Sequence, residues 1–458
     1  MSAHEFDLFI IGAGQAGVPL AHAAAKAGWK VALAERSHLG GSCVNFGCTP
    51  TKAAIASASL AHLARRGREY GIEIPTVTIN FPAVMQRAAD TARSFRTGLE
   101  EGFQAGGNPI LIRAHARLSG GGEGGFRIEA GGASYTGARV VLNTGNRTAM
   151  PPIPGLEGVP ALHAGNWLEN RELPGHLMMM GGGVIALEMG QFYSRMGSRV
   201  TILERSGQIA GKEDPEVAAE LKRLLESEGI SIRLNTHAAS VESTGAGVRV
   251  NTSGGQTLEG THLFVAAGRR PNTDDLGLET VGLGAAAGKV VPVDKKLQTP
   301  VKGIWAAGDI RGGPMFTHTS WDDYRILESQ FLGDGARTTD RTPVYAIFTD
   351  PQLGRAGITE TEARRSGRPL KTARYDLSHN GHAIEFGRTE GFVKVTIDRS
   401  TKQILGAAVL ADHGAELVHI FSDIMSAGAP YTAIKNAIHI HPTYAEAVQS
   451  AISELDAG

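Results

Sequence analysis

The sequence predicts an α/β chain with two Rossmann-like dinucleotide-binding domains and a C-terminal α+β domain. Three observations predict it. Two segments repeat one strand, glycine turn, helix, strand pattern; a later apolar strand ends in Gly308–Asp309; and beyond about residue 338 the pattern changes to paired strands. A length of 458 residues is too great for one core and suggests about three domains.

The first repeat, FDLFIIGAGQAGVPLAHAAAKAGWKVALAE, closes on Glu35. The second, HLMMMGGGVIALEMGQFYSRMGSRVTILE, closes on Glu204. From the first glycine to that glutamate is 23 positions in both copies. This is the dinucleotide-binding fingerprint. Gly12 and Gly181 permit the tight turn. Gly14 and Gly183 let backbone N–H groups approach a pyrophosphate at a helix N-terminus. Gly17 and Ala186 allow close packing of helix on strand. Glu35 and Glu204 accept hydrogen bonds from a ribose. One such turn alone is a weak signal; two complete units with one spacing are a strong one.

After the first unit, a stretch rich in Ala and Arg reads as helical from Cys48 to about residue 105. Glycine-rich turns such as SGGGEGG (119–125) then separate short strands. ARVVLNTGNR (138–147) reads as a buried strand ending at a turn, and MPPIPG follows it. Alternating segments run from the second unit to THLFVAAGRRPN (261–272), and GIWAAGDI (303–310) is another buried strand. FVKVTID and ILGAAVL read as antiparallel strands, followed by two helices around IHIHPTYAEAV. The expected division is a first dinucleotide domain of residues 1–148 and 270–337, split by a second at 149–269, then a domain at 338–458.

Composition excludes several classes. Hydrophobic content of 42%, charged content of 20% and a net charge of −1 fit a soluble globular protein, with nothing to favour nucleic acid or an anionic membrane. The N-terminal MSAHEFDLFIIGAG lacks a basic leader, and its short apolar run ends in glycines, so no signal peptide is expected. No apolar stretch reaches membrane-spanning length. A cytoplasmic location is the expectation.

The chain has only two cysteines, both in GGSCVNFGCTPTK (40–52). In a regular α-helix, residues five apart have Cα atoms roughly 8 to 9 Å apart, and a disulfide wants about 4.4 to 6.8 Å. A bonded Cys43 and Cys48 therefore require a break in any helix there, which Gly47 allows. Two free buried thiols remain the alternative. A zinc site is weak because no further cysteine completes a ligand set, and no metal centre is expected. The pair follows Glu35 by eight residues, close to where the first dinucleotide extends.

GGSCVNFGCTPTK resembles the redox signature of the FAD-dependent pyridine nucleotide–disulfide oxidoreductases, the family of glutathione reductase, dihydrolipoamide dehydrogenase and mercuric reductase. The resemblance covers nearly the whole chain in the family's order. FIIGAGQAG with Glu35 is similar to the family's FAD pyrophosphate and ribose elements. LNTGNR is similar to its ATG-type turn, with Asn143 in place of the usual alanine. GGGVIALE is similar to the nicotinamide-nucleotide element, IWAAGDI to the second FAD element, and HIHPTYAE to the His-Pro-Thr…Glu motif of the dimerisation domain.

The resemblance implies FAD held by Gly12, Gly14, Gly17 and Glu35, by Gly41, Ser42 and Lys52, and by Thr144, Gly145, Gly308 and Asp309. It implies NAD(P)H held by Gly181, Gly183, Val184, Ala186 and Glu188, with Glu204, Arg205 and Gly268. Electrons would pass from NAD(P)H through FAD to a Cys43–Cys48 disulfide. Cys48 would be the thiolate facing the flavin and Cys43 the thiol that attacks the substrate. Lys52 would lie near the flavin N5 and pair with Glu188. His441, oriented by Glu446, would be the acid–base across the interface of a homodimer; His439 is the lesser candidate.

Coenzyme choice turns on VTILERS. Glu204 accepts from a 2′-hydroxyl and repels a 2′-phosphate, which favours NADH over NADPH. Arg205 and Lys212 are cations able to attract a phosphate. For the substrate, TSWDDYRI (319–326) and IFTDPQLGRAGITETEA (347–363) most resemble the mercuric-reductase-like branch, which includes hypochlorous-acid-inducible reductases. The second cysteine pair of true mercuric reductases is missing. A small-molecule disulfide or a lipoyl group, free or protein-bound, is the expected substrate. Dihydrolipoamide dehydrogenase, a metal-ion reductase and a non-enzymatic redox-sensing flavoprotein are the alternatives. A flavin monooxygenase-like enzyme needs neither the cysteines nor the His441–Glu446 pair.

Overall fold

The computed structural model describes residues 5–104, 107–122 and 124–456. The first four residues of the N-terminal segment, and Glu123 in the glycine-rich turn, lie outside the described residues.

Leu8–Ile11 is the centre of a five-stranded parallel sheet. Val31–Ala34 and then Ile110–Ile112 lie on one side, Val140–Leu142 and then Ile304–Ala306 on the other. LFII and VALA are buried throughout, as a parallel sheet covered on both faces requires. Ile304–Ala306 returns from far along the chain, so the first unit closes only after the second is complete. That second unit is another five-stranded parallel sheet, in the order Ser231–Arg233, Arg199–Leu203, His176–Met180, His262–Val265, Leu162–His163. The chain crosses between the units at one antiparallel pair, Asn146–Thr148 with Arg269–Pro271.

The C-terminal sheet is antiparallel and five-stranded, in the order Val344–Ile347, Gln352–Gly357, Ile404–Ala411, Phe392–Asp398, Leu370–Asp376. Helices Gly414–Ser426 and Ala445–Ser453 follow, with a short turn of helix at Thr432–Lys435. Residues Ile438 to Pro442 between them are not helical.

The helical stretch expected to run to about residue 105 is two helices, Cys48–Arg65 and Phe81–Gln104. The connection contains Pro75, which has no N–H to give a helix. Asn80 starts the second helix by accepting from the Ala83 amide at 3.1 Å. One apolar cluster runs from Ala54 and Phe81 through Phe192 and Phe264 to Phe392. The helix that begins at Cys48, the second unit and the C-terminal sheet therefore share a core, which fixes their relative positions.

Candidate active site

Both glycine turns have one geometry. Gly12 and Gly181 each have φ +103. A Cβ at Gly12 would lie 2.4 Å from the Asn143 carbonyl oxygen, and one at Gly181 would lie 2.5 Å from that of Ala266. Each turn thus packs against the end of the neighbouring strand, and only glycine fits. The space beside Gly183 is open. Gly14 differs: its nearest neighbour is the Asn143 Oδ1, 2.6 Å from a Cβ placed there. A Cβ at Gly17 would meet the Gly12 carbonyl at 2.4 Å, and Ala186 is fully buried.

Each closing glutamate is anchored inside its own unit. Glu35 accepts from the Ala13 amide at 2.9 Å and the Ser37 amide at 2.7 Å. Glu204 accepts from Gly182 at 2.6 Å and Ser206 at 2.7 Å. A carboxylate has about four acceptor positions, so both remain able to take a ribose hydroxyl. Arg205 and Lys212 are exposed, and Lys212 lines the cleft beside this turn.

Opposite the first turn, Asp309 accepts from Asn146 Nδ2 at 2.8 Å. Burial pushes its carboxyl up, while Arg269 and Asn146 favour the charged form. Arg269 in turn donates to Asn146 Oδ1. The Thr144 hydroxyl donates to the Asn272 carbonyl at 2.7 Å, and the space beside Gly145 is open. Gly268 has φ +148 and lines the same cleft. Gly40 closes onto the first turn through its amide, 2.8 Å from the Ala13 carbonyl, and a Cβ at Gly41 would come 3.3 Å from Gly14 Cα.

The cysteine segment is not one continuous helix. Helix Gly41–Asn45 stops, and helix Cys48–Arg65 starts after Phe46 and Gly47. The Gly47 amide donates to the Ser42 carbonyl at 2.6 Å, and a Cβ at Gly47 would lie 2.8 Å from that oxygen. The two cysteines are free thiols, close enough for each to shift the titration of the other. Cys48 Sγ also lies 3.0 Å from Thr317 Oγ1, the first residue of helix Thr317–Leu332. The Cys43 hydrogen bond, then Thr317 and Lys52, lower the Cys48 thiol to about 6 against the opposing effect of burial. The same Cys43–Cys48 bond, with burial, pushes Cys43 up. The pair is thus unequal, its two shifts running in opposite directions, down for Cys48 and up for Cys43.

Lys52 sits one turn beyond Cys48. Its Nζ donates to Glu188 Oε2 at 2.8 Å and lies 4.4 Å over the Phe348 ring. Glu188 has a side chain only 5% exposed, and its other oxygen accepts from the Phe348 amide at 2.9 Å. Val184 opens the helix that carries Glu188 and lines the cleft.

His441 and Glu446 pair with each other but not with the cysteines of their own chain. His441 Nδ1 lies 3.0 Å from Glu446 Oε1, and the Thr443 amide donates to Glu446 Oε2 at 2.9 Å. The Thr443 amide, then His441, hold the Glu446 carboxyl below its usual range. The His441 side chain is 76% exposed and does not line the cleft that holds Cys43 and Cys48. Its neighbours Ile438 and Ile440 are 100% and 77% exposed. His439, the lesser candidate, has a buried Nδ1.

One cleft of about 2940 Å³ joins both glycine turns, the cysteines, Lys52, Glu188 and Asp309. That far exceeds the about 300–1,000 Å³ of a single small-ligand pocket, as two dinucleotides require. The glycine cradle at Gly12, Gly14 and Gly41, which a Cβ would fill, together with anchored Glu35 and Asp309, fits FAD. Sequence reasoning missed Asn146, Arg269, Thr317 and Phe348, which join the site from distant segments. Asn143 was visible as a departure from alanine, but its contacts were not. Among the described residues no group of three or more His, Cys, Asp or Glu is placed to hold a metal ion, and no helix is long and apolar enough to cross a membrane.

Two dinucleotide turns and an unequal thiol pair in one cleft define a flavin- and pyridine-nucleotide-dependent redox enzyme. Comparison with known proteins supplies the family. Residues 6–323 match pyridine nucleotide-disulphide oxidoreductases, and residues 344–452 match their dimerisation domain. This chain belongs to that FAD-dependent family, and its dimerisation domain supports a homodimer. It is 34% identical to the probable pyridine nucleotide-disulfide oxidoreductase RclA of Escherichia coli, over 98% of this chain and 99% of that protein. It is 31% identical to a mercuric reductase of Streptomyces lividans, over 98% of this chain and 96% of that one. A dihydrolipoyl dehydrogenase of Cupriavidus necator is 30% identical, over 99% and 98%. Among solved structures, the HOCl-induced flavoprotein disulfide reductase RclA of E. coli superposes with a TM-score of 0.88 at 33% identity, covering 98% of this chain and 99% of that one.

Proposed function

We propose that this chain is an NADH-dependent disulfide reductase working through Cys43 and Cys48 as a cytoplasmic homodimer. The observation that carries the reading is the placement of Cys43 and Cys48 at the break between two helices, in the cleft that joins both glycine turns, with Thr317 against Cys48 and the Lys52–Glu188 pair beside it. When bound, FAD supplies a two-electron relay between the nicotinamide and the thiol pair.

The net reaction is NADH + H⁺ + RSSR → NAD⁺ + 2 RSH. Because the pairing with Cys48 keeps Cys43 protonated, its attack on a substrate disulfide needs a base. His441 of the partner subunit takes that proton and passes it to the departing thiolate, leaving a mixed disulfide on Cys43. Cys48, already a thiolate, then attacks the Cys43 sulfur. The second substrate thiolate leaves and takes up the H⁺ of the net equation from solvent, and a Cys43–Cys48 disulfide forms. The two electrons of NADH reopen it for the next cycle. Glu446 fixes the tautomer and orientation of His441, and the Lys52–Glu188 pair holds a positive charge beside Cys48.

Glu204 supports NADH. Its carboxylate is held by two backbone amides, so it does not swing away from a 2′-phosphate. Nearby Arg205 and Lys212 are exposed cations in high dielectric, where their attraction is weak. The exposed His441, directly after the uncovered Ile438 and Ile440, supports a site completed by a second chain.

A metal ion is the second reading of the electron acceptor. The similar E. coli reductase is described in complex with Cu(II), and adjacent thiol and thiolate groups are soft ligands. A panel of lipoamide, glutathione disulfide, Cu(II), Hg(II) and quinones, with NADH and NADPH, separates the readings. Turnover of a disulfide with NADH that disappears in Cys43→Ser supports the disulfide reductase. Turnover of Cu(II) alone assigns the metal acceptor instead.

A further inference from the structure

TSWDDYRI has no part in the chemistry above, and Asn143 stands where the family usually has alanine. Both converge on one peptide unit. The Ala307 carbonyl accepts from Asn143 Nδ2 at 2.7 Å, and the Gly308 amide donates to Asp323 Oδ2 at 2.8 Å. These two backbone groups are the two ends of a single peptide plane, the middle one of the three that link strand Ile304–Ala306 to Asp309. Asn143 is 5% exposed and Asp323 0%, so water does not compete for either bond. Gly308 has φ +75, and a Cβ there would lie 2.7 Å from Ser320 Oγ and 3.0 Å from Asn143 Nδ2.

Each clamp residue has a second anchor. Asn143 Oδ1 accepts from the Gly17 amide at 2.9 Å. Gly17 is the first residue of the glycine-turn helix Gly17–Lys26, which has no side-chain cap of its own. Asn143 therefore caps that helix from 126 positions away. Asp323 accepts from Arg311 at 2.7 and 2.9 Å and from Arg341 at 2.7 Å. Arg341 also bonds Asp322 and lies just ahead of the first strand of the C-terminal sheet.

We propose that Asn143 and Asp323 are positioning residues for FAD. By gripping the Ala307–Gly308 peptide at both ends, they fix the rotation of that plane and so steady the direction in which the chain presents the Asp309 carboxylate to the cleft that would hold FAD. Asn143 also locks this turn in register with the helix whose N-terminus receives the pyrophosphate. The inference rests on the FAD reading of the Asp309 site. A peptide beside a glycine has little steric restraint of its own, so the clamp supplies the order that ligand binding would otherwise have to impose. An alanine at 143 supplies neither bond.

The test is FAD release from the holoprotein at 25 °C after dilution, read as recovery of flavin fluorescence, with the unfolding midpoint measured by circular dichroism. Asn143→Ala loses both bonds. Asn143→Asp keeps an acceptor for Gly17 but turns an oxygen toward the Ala307 carbonyl, which breaks the clamp alone. Both variants are expected to release FAD about tenfold faster or more, at a temperature where they remain folded. In Asn143→Ala/Asp323→Ala the effects are expected to be less than multiplicative, because both residues act on one peptide. Should Asp323→Ala fail to fold, the two Asn143 variants still decide. Release within about twofold of wild type in both, with or without a lower unfolding midpoint, overturns the proposal. So does an Asn143→Asp that behaves as wild type, since helix capping alone would then explain Asn143. Wild-type protein that binds no FAD would overturn the FAD reading itself.

Discussion

Lys52 Nζ stands 2.8 Å from Glu188 Oε2 and joins the helix that begins at Cys48 to the helix that follows the second glycine turn. One cation is thereby held between the thiol pair and the nicotinamide side of the cleft. Glu188 is buried, and its second oxygen is fixed by the Phe348 amide, so the lysine has a rigid counter-ion.

Replacing that lysine should affect electron input first. In Lys52→Met, reduction of the flavin by NADH in stopped flow is expected to slow on the order of 10²-fold, the usual cost of removing a positioned charge. Glu188→Gln keeps an acceptor for Lys52 and should cost less. An unchanged rate in Lys52→Met would remove Lys52 from the electron path.

The thiolate assignment has a pH signature. Because the Cys48 thiol is lowered to about 6, the long-wavelength charge-transfer absorbance of the two-electron-reduced enzyme should be present above that pH. It should fade as pH falls through it. Cys43→Ala removes the largest cause of the lowering, so the midpoint should move up. Cys48→Ser should abolish the band, and Cys43→Ser should keep it while losing disulfide turnover. A band that survives Cys48→Ser would reverse the roles.

Assembly is tested by mixing defects. His441→Ala and Glu446→Gln should each lower disulfide turnover, the first by about 10² to 10⁴-fold, with reduction by NADH unchanged. Co-expressed Cys43→Ser and His441→Ala chains should regain turnover, because a mixed dimer holds one site with Cys43 from one chain and His441 from the other. No recovery in mixed dimers would place His441 in its own chain's site.

Coenzyme preference should follow Glu204. Wild-type kcat/KM for NADH is expected to exceed that for NADPH on the order of 10²-fold, since a like-charge contact costs several kcal/mol. Glu204→Ala should narrow the gap by improving NADPH. Equal efficiency in the wild type would show that Arg205 and Lys212 outweigh the glutamate.

The two dinucleotide units were legible because their defining bonds are local. Glu35 closes on Ala13 and Glu204 on Gly182, both within one strand–helix–strand unit. The break at Gly47 is local too, although the spacing asked for one only if the cysteines were bonded, and here both are free. The helical stretch after Cys48 was read as longer than it is. Its Ala- and Arg-rich composition continues past Arg65, but the connection with Pro75 and the cap at Asn80 end one helix and start another.

By itself, then, the sequence determined the turns, the cysteine spacing and the order of the segments, all set by short-range sterics and hydrogen bonds. Only the tertiary structure brought Thr317 against Cys48, from 269 positions away. It alone showed that Gly14 and Gly308 make room for Asn143, whose amide bonds Gly17 and Ala307. It alone left His441 exposed and away from its own cysteines. Such contacts join residues that share no local pattern, and they exist only when the sheets and their common core bring distant segments together.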